Sequence, residues 1–489
     1  MHVHDILAAT PLDRASGTPL FRQLYQQLKE AILSGQVGPS VRLPATRELC
    51  GLLAVSRQTV LAAYEQLMAE GYLEGTVGKG TFVSAALPAR AASLDGAPPL
   101  ARPLPPRGQV LARGMARVRH HDGPLRAFRA SMPGLDLFPF EVWRKLEARH
   151  WRGAGADLGY GGAAGHPALR ELLCAYLKAS RGVRCSPEQV IITSGSQQAL
   201  FLLAQLLLAP GDGVWIESPG YQGAAAAFAV AGARVCPVPV DADGMDVAYA
   251  ATHHPDARLV FATPSHQLPL GTTMSLRRRL KLLRWAEASR AWIVEDDYDS
   301  EYRHTGPPLA SLQSLDRSGC VVYVGTLSKV LFPGLRLGYV VAPPALVEPL
   351  VRAKDVVDRH SPTAPQAVLA GFIAGGHFAR HIRRTREAYG ERRAALLAAL
   401  EARMKGLLVC GPSDAGLDLC VHFADGRGED EAVRRARDAG IDVRPLGYYA
   451  HPAAGPACAV APGLLLGFSA FTPRQIEEGV RDLARALGA

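Results

Sequence analysis

Three short stretches of this chain join residue types that could hold a small charged ring and react with an amine. Ser194-Gly195-Ser196-Gln197 stands where a strand-like run, Gln189–Thr193, meets a helix-like run, Ser196–Leu208. Free backbone N–H groups and a hydroxyl at such a junction can cradle a phosphate, although glycine and serine open many helices as ordinary caps. Trp292-Ile293-Val294-Glu295-Asp296 ends an apolar run on consecutive acids, and Tyr298 follows. An acid at that depth needs a positive partner, and a protonated pyridine nitrogen is one candidate. A structural carboxylate or a helix cap is the other. Val324-Gly325-Thr326-Leu327-Ser328-Lys329 ends a third apolar run on hydroxyls and a lysine, with Arg336 beyond. A lysine leaving a hydrophobic strand can have a lowered pKa and form an imine, or it can reach water. In chain order these are a phosphate cradle, an acid for a ring nitrogen, a phenol and an imine-forming lysine, the complement that pyridoxal phosphate needs.

The elements that must position these loops are legible around them. Gly213–Glu217, Arg258–Thr263, Trp292–Glu295 and Cys320–Gly325 are further β-rich apolar runs with helical stretches between. That alternation predicts an α/β body with a mainly parallel sheet and a site at the strand C-termini.

The first 85 residues follow a different pattern. Leu20, Leu24, Leu28 and Ile32 recur at helical spacing up to Gly35 and Gly38-Pro39. Pro44 opens a second helix with Leu49, Leu52 and Leu53 on its apolar face. Ser56 caps a third, in which Val60, Tyr64, Leu67 and Met68 face inward and Arg57, Gln58 and Thr59 stand exposed at the N-terminus. Tyr72–Glu74 and Thr81–Val83 flank Gly78-Lys79-Gly80 as a hairpin. Three helices and a glycine-tipped basic hairpin make a winged helix-turn-helix. Its third helix would present Arg57, Gln58 and Thr59 to base edges, while Arg42, Arg47 and Lys79 neutralise phosphates. A small helical bundle with a solvated polar face is the alternative. Seven basic residues balance seven acidic ones over residues 1–85, so a positive face must come from segregation, from the neighbouring segment or from dimerisation.

That neighbouring segment, Pro88–Arg129, is rich in proline and arginine and reads as a semi-rigid connection. The expected division is therefore a DNA-binding head over residues 1–85, a linker over 86–130 and a body over 131–489. At 489 residues the chain suits more than one domain. Its 48% hydrophobic and 20% charged residues are ordinary for a soluble protein. The N-terminal residues make a poor signal peptide, and no apolar run is long enough to span a bilayer. The eight cysteines are scattered with no C-x-x-C and no histidine at metal-ligand spacing. They are expected to be reduced in the cytoplasm, with no metal site. A net charge of +9 permits an acidic partner without identifying one.

The head, through LYQQLKEAILSGQVGPSVRLPATREL and VSRQTVLAAYEQLMAEGYLEGTVGKGTFV, closely resembles the GntR-type winged helix over about Pro19–Ser84. The body resembles the fold-type-I aminotransferases, and more closely the bodies of MocR/GabR-type regulators. The matching strings are YGGAAGHPALRELL, VIITSGSQQAL, PGDGVWIESPGY, TPSHQLPLG, VEDDYDSEYR and VGTLSKVLFPGLRLGY, with a looser match through VRPLGYY and LLLGFSAF. The resemblance implies an aminotransferase-like fold with a smaller C-terminal α+β part. It implies that Lys329 holds pyridoxal phosphate as an internal aldimine, Asp296 pairs with the pyridine nitrogen and Tyr298 with the phenolic oxygen. Tyr221 would stack on the ring. Ser196, Gln197, Ser328 and Arg336 would hold the phosphate, with Tyr160 reaching in from a second subunit of a homodimer. His266 falls where aminotransferases present an asparagine to the ring oxygen, and its role stays the most open.

The function so implied is transcription regulation: operator DNA bound through the winged helix, and the cofactor, an amine or an amino acid sensed by the body. A working aminotransferase that carries a DNA-binding domain is the second reading, and a body that serves only for dimerisation is the third. Lys329 and Asp296 argue against the third. Two positions depart from the γ-aminobutyrate-responsive members. Gly223 and Leu465 stand where those carry arginines placed for an effector carboxylate. The signal expected here is therefore the cofactor itself or an amine lacking a required carboxylate, unless Arg444 substitutes.

Overall fold

The computed structural model describes residues 11–76, 79–85, 102–113, 124–153, 159–306 and 309–489. They divide into two compact units, residues 1–103 and 104–489. In the first, helices Leu20–Leu33, Thr46–Leu53 and Arg57–Ala69 precede β1 (Leu73–Thr76) and β2 (Gly80–Val83), which pair antiparallel. Leu24, Leu28, Leu49, Val60, Tyr64 and Leu67 close its core. The second helix buries less than its pattern predicts. Leu49 is fully buried and Leu53 packs partly buried against the core, but Leu52 is exposed. Gly78 lies outside the described residues.

The second unit is built on an eight-stranded sheet. Its strands are β3 (Val190–Thr193), β4 (Gly213–Ser218), β5 (Arg234–Asp241), β6 (Gly244–Met245), β7 (Ala257–Ala262), β8 (Trp292–Asp297), β9 (Val321–Thr326) and β10 (Gly338–Val341). Their spatial order is β3-β10-β9-β8-β7-β4-β5-β6. The run from β9 through β8, β7 and β4 to β5 is parallel, whereas β10 is antiparallel to both its neighbours. Val, Ile and Leu fill the parallel strands on both faces, as burial between helix layers requires. The C-terminal ends of β4, β7 and β9 deliver the loops that carry Tyr221, His266 and Lys329, and the C-terminal end of β8 itself carries Asp296.

A smaller antiparallel sheet follows: β11 (Leu408–Cys410), β12 (Asp418–Phe423), β13 (Arg444–Pro445) and β14 (Gly463–Gly467), in the order β11-β12-β14-β13. Alternate residues Leu419, Val421, Leu464 and Leu466 pack on helices His377–Met404 and Pro473–Leu487.

Most of the expected linker lies outside the described residues. Its described part is more ordered than a proline-rich connection implies. Pro106 starts a helix that runs to Arg113, a position where its missing N–H costs nothing. Phe128 is fully buried in the core of the smaller sheet and bridges Gly467. All eight cysteines are free, and among the described residues no helix is long and apolar enough to cross a membrane and no side-chain cluster suits a metal ion.

Candidate functional site

The consecutive acids at the end of β8 separate by strand alternation. Glu295 accepts hydrogen bonds from the backbone N–H groups of Leu312 and Gln313 at 2.7 and 2.8 Å. Asp297 takes the Arg181 guanidinium at 2.8 Å and the Tyr323 hydroxyl at 2.5 Å. Both are satisfied inside the scaffold. Asp296 points to the opposite face; it is buried, and its Oδ1 has no hydrogen-bond partner among the described residues. Burial and the neighbouring Asp297 and Glu217 push its carboxyl up to about 8. A carboxylate in that setting requires a cation.

Lys329 leaves β9 into the same space. Its Nζ donates to the Ser131 carbonyl at 2.8 Å, and burial lowers its pKa against the opposing pull of Asp418 and Asp299. Asp418 in turn accepts from the Ser131 N–H at 2.7 Å and the Ser131 hydroxyl at 3.1 Å. Neither Ser131 nor Asp418 is marked by any local signal, since contacts across 198 and 287 residues are made only by the fold.

The phosphate-type cradle forms around the start of β10, because Gly338 pairs with both Thr193 and Thr326 and so brings the ends of β3 and β9 together. Gly195, at φ +90°, lets the chain enter helix Ser196–Leu207, whose first turn has no side-chain cap. Its N–H groups are thus left for an anion. A side chain at Gly195 would meet the Arg336 guanidinium at 3.0 Å. Arg336 donates to the Ser194 carbonyl at 3.0 Å, and Ser328 Oγ is buried without a partner among the described residues. Gln198, not singled out from sequence, accepts from the Ser194 N–H at 2.7 Å and donates to Asp358 at 2.6 Å.

The aromatic groups are held as follows. Tyr221 donates to Gln197 Oε1 at 3.0 Å, and Gln197 Nε2 donates to the Gly223 carbonyl at 2.9 Å. The Gln197 side chain is therefore engaged on the tyrosine, leaving its backbone N–H for the cradle. Tyr298 Oη lies 3.0 Å from His266 Nδ1, which is also 3.0 Å from the buried Asp299 carboxylate. Burial pulls the His266 imidazole down, but Asp299 outweighs it and the pKa is raised. Asp299 was missed, although it stands next to Tyr298. Tyr160 is 95% exposed and touches none of these groups. Orphaned Asp296 Oδ1, orphaned Ser328 Oγ, an open helix N-terminus beside Arg336 and a lysine with a lowered pKa together fit pyridoxal phosphate.

In the first unit Arg57 and Gln58 are exposed at the start of the third helix. Thr59 departs from expectation. It is half-buried, its N–H donates to the Ser56 cap at 3.1 Å and its hydroxyl lies 2.9 Å from Ser56 Oγ. Its hydroxyl thus belongs to the helix cap. Arg42, exposed, bridges Phe82 of the hairpin and lies over Gly80. Arg47 and Lys79 are exposed as well. Among the described residues none of Arg42, Arg47, Arg57 and Lys79 forms an ion pair, whereas Lys29 is held by Glu70 at 2.7 Å.

A family model for aminotransferase class I and II matches residues 132–479, and one for bacterial regulatory proteins of the gntR family matches 20–83. The chain is 40% identical over 486 residues to the probable rhizopine catabolism regulatory protein MocR of Rhizobium meliloti, covering 97% of this chain and 95% of that one. It is 37% identical over 481 residues to the HTH-type transcriptional regulator TauR of Rhodobacter capsulatus, covering 96% of each. Among solved structures, LysN, the alpha-aminoadipate aminotransferase of Thermus thermophilus complexed with N-(5'-phosphopyridoxyl)-L-leucine, superposes with a TM-score of 0.67. It shares 32% identity and covers 74% of this chain and 91% of that one.

Proposed function

Because the chain belongs to the MocR-type transcription regulators, which join a gntR-family head to an aminotransferase class I and II body, we propose that it controls transcription by binding operator DNA in a manner set by pyridoxal phosphate. The observation that carries the cofactor reading is Asp296, a buried carboxylate with an orphaned oxygen facing the same space as Lys329. Pyridoxal phosphate, when bound, supplies an aldehyde that couples to primary amines. Asp296 would hold the proton on the ring nitrogen, and Lys329, kept deprotonated more readily by burial, would be the tether. Arg336, Ser328, Ser196 and the N–H groups after Gly195 would anchor the phosphate. Tyr221 would cover the ring and exclude water, while Tyr298, steadied by His266 and Asp299, would donate to the ring oxygen. Arg57 and Gln58 would read bases, with Arg42, Arg47 and Lys79 on the phosphates.

Control requires the ligand to bind one arrangement of the protein better than another, in a homodimer that presents two heads to paired half-sites. The cofactor reading is tested by reducing the loaded protein with borohydride and mapping its peptides. The adduct is expected on the peptide carrying Lys329 and absent from Lys329→Ala. An unmodified Lys329 after reduction would sink the reading.

A further inference from the structure

The phosphate-type cradle is fastened from a second element behind it. Helix Pro344–Asp358 buries Lys354 completely, and Lys354 Nζ donates to Asp358 Oδ1 at 2.8 Å, its one ion pair among the described residues. The other oxygen of Asp358 accepts from Gln198 Nε2 at 2.6 Å. Gln198 Oε1 in turn accepts from the Ser194 N–H at 2.7 Å. Ser194 opens the loop into helix Ser196–Leu207, and its carbonyl takes Arg336. Beyond Asp358, buried Ser361 places its hydroxyl 3.3 Å from the Ser194 hydroxyl. One short segment, Asp358–Ser361, therefore holds the entry to the cradle at both its ends.

The backbone of that segment is strained. Arg359 stands at φ +59° and ψ −72°, and the His360 N–H reaches the Asp358 carbonyl at 2.6 Å, a tight turn that residues with a Cβ rarely adopt. The Arg359 side chain is 75% exposed, so its own packing does not impose the turn. Such strain persists only where the surroundings fix the chain, and the contacts that fix it here are those of Asp358 and Ser361.

Hydrogen-bond polarity makes the chain of contacts directional. A carboxylate only accepts, so Asp358 obliges Gln198 to turn its NH2 group outward and its oxygen toward the Ser194 N–H. Lys354 only donates, and it occupies the other Asp358 oxygen. We propose that Asp358 is a positioning residue: through Gln198 it orients the Ser194 N–H and the loop that receives the cofactor's phosphate, without touching the cofactor. This assignment rests on the cofactor reading proposed above. In Asp358→Asn the side chain must keep its oxygen on buried Lys354 and turn its NH2 group on Gln198. Gln198 then reverses and sets a donor against the Ser194 N–H. The fault arrives at the phosphate end of the site, whereas Asp296 and Lys329, beside which the ring would lie, belong to β8 and the loop after β9.

The test compares two ligands that share ring and aldehyde and differ in the phosphate, pyridoxal phosphate and pyridoxal. Full-length wild type, Asp358→Asn and Gln198→Leu are each titrated with both while the visible absorbance of the bound ligand is followed. Wild type is expected to prefer the phosphorylated ligand. Both variants are expected to lose roughly tenfold of that preference, the loss typical of one hydrogen bond to a charged group, with pyridoxal bound as in wild type. Gln198→Leu leaves the Lys354–Asp358 pair intact, so it decides the matter if Asp358→Asn does not fold. An unchanged preference in either variant, or an equal loss for the two ligands, overturns the assignment. Failure of wild type to take up either ligand would instead overturn the function on which it rests.

Discussion

Asp296→Asn should move stability and cofactor affinity in opposite directions. The Asp296 carboxyl is buried and pushed up to about 8, against roughly 3.9 in an unfolded chain. Because the folded pKa is raised, the stability from this group is fully present below about pH 4 and is lost as pH rises through about 8. Across that window the unfolded chain releases the proton and the folded one keeps it, so the cost grows by about 1.4 kcal/mol per pH unit. Glu217, Glu295 and Glu301 are also raised, each to about 7, so only the difference between wild type and variant isolates Asp296. The neutral amide removes the ionisation cost but leaves a buried polar group with about 1–3 kcal/mol of its own penalty. Urea unfolding of the cofactor-free proteins at pH 5 and pH 8 should therefore show Asp296→Asn gaining about 3–4 kcal/mol on wild type between those two pH values. The variant should end the more stable at pH 8. Its affinity for pyridoxal phosphate should fall roughly ten- to a hundredfold through loss of one charged hydrogen bond. A pH-independent stability gap, or a variant less stable at pH 8 and unchanged in affinity, would refute the reasoning.

Arg57→Ala is expected to lose discrimination between operator and random DNA by about 1–3 kcal/mol in parallel binding titrations, whereas Lys79→Ala should weaken both alike. Equal losses for Arg57→Ala would move it to the phosphate contacts. Ser56→Ala should destabilise the head by about 1 kcal/mol in thermal unfolding, because it removes the cap that engages Thr59. Sedimentation should give a dimeric mass, and Tyr160→Phe should weaken cofactor binding although Tyr160 is exposed in one chain. A monomer with full operator affinity would exclude that arrangement. Gly223→Ala should displace the Tyr221 ring and lower cofactor affinity about tenfold or more, as measured by cofactor fluorescence.

The loops that carry chemistry were legible because each ends a short apolar strand, and strands with helices between them bring their C-terminal ends to one edge. Ser194–Gln197, Asp296 and Lys329 were found that way. Which acid of Glu295-Asp296-Asp297 is free was not, because it depends on partners such as Leu312 and Arg181 that only tertiary packing supplies. The same holds for Ser131 and Asp418 beside Lys329. That Thr59 is half-buried and bonded to Ser56 is not legible either, because a residue three positions after an N-cap serine can serve the cap or face solvent. The segment around Phe128 was read as linker on its proline and arginine content, which says nothing of one aromatic ring buried against Gly467.

The central claim is that the cofactor held at Lys329 governs the head's hold on DNA. The direct measurement is fluorescence anisotropy on a DNA site selected by the protein from a random-sequence pool, with wild type and Lys329→Ala each titrated with and without pyridoxal phosphate at fixed salt. The affinity of wild type is predicted to change by roughly tenfold, a coupling of about 1.4 kcal/mol, while Lys329→Ala stays at its cofactor-free value. Identical DNA affinity for loaded and cofactor-free wild type, or the same change in Lys329→Ala, would contradict the account.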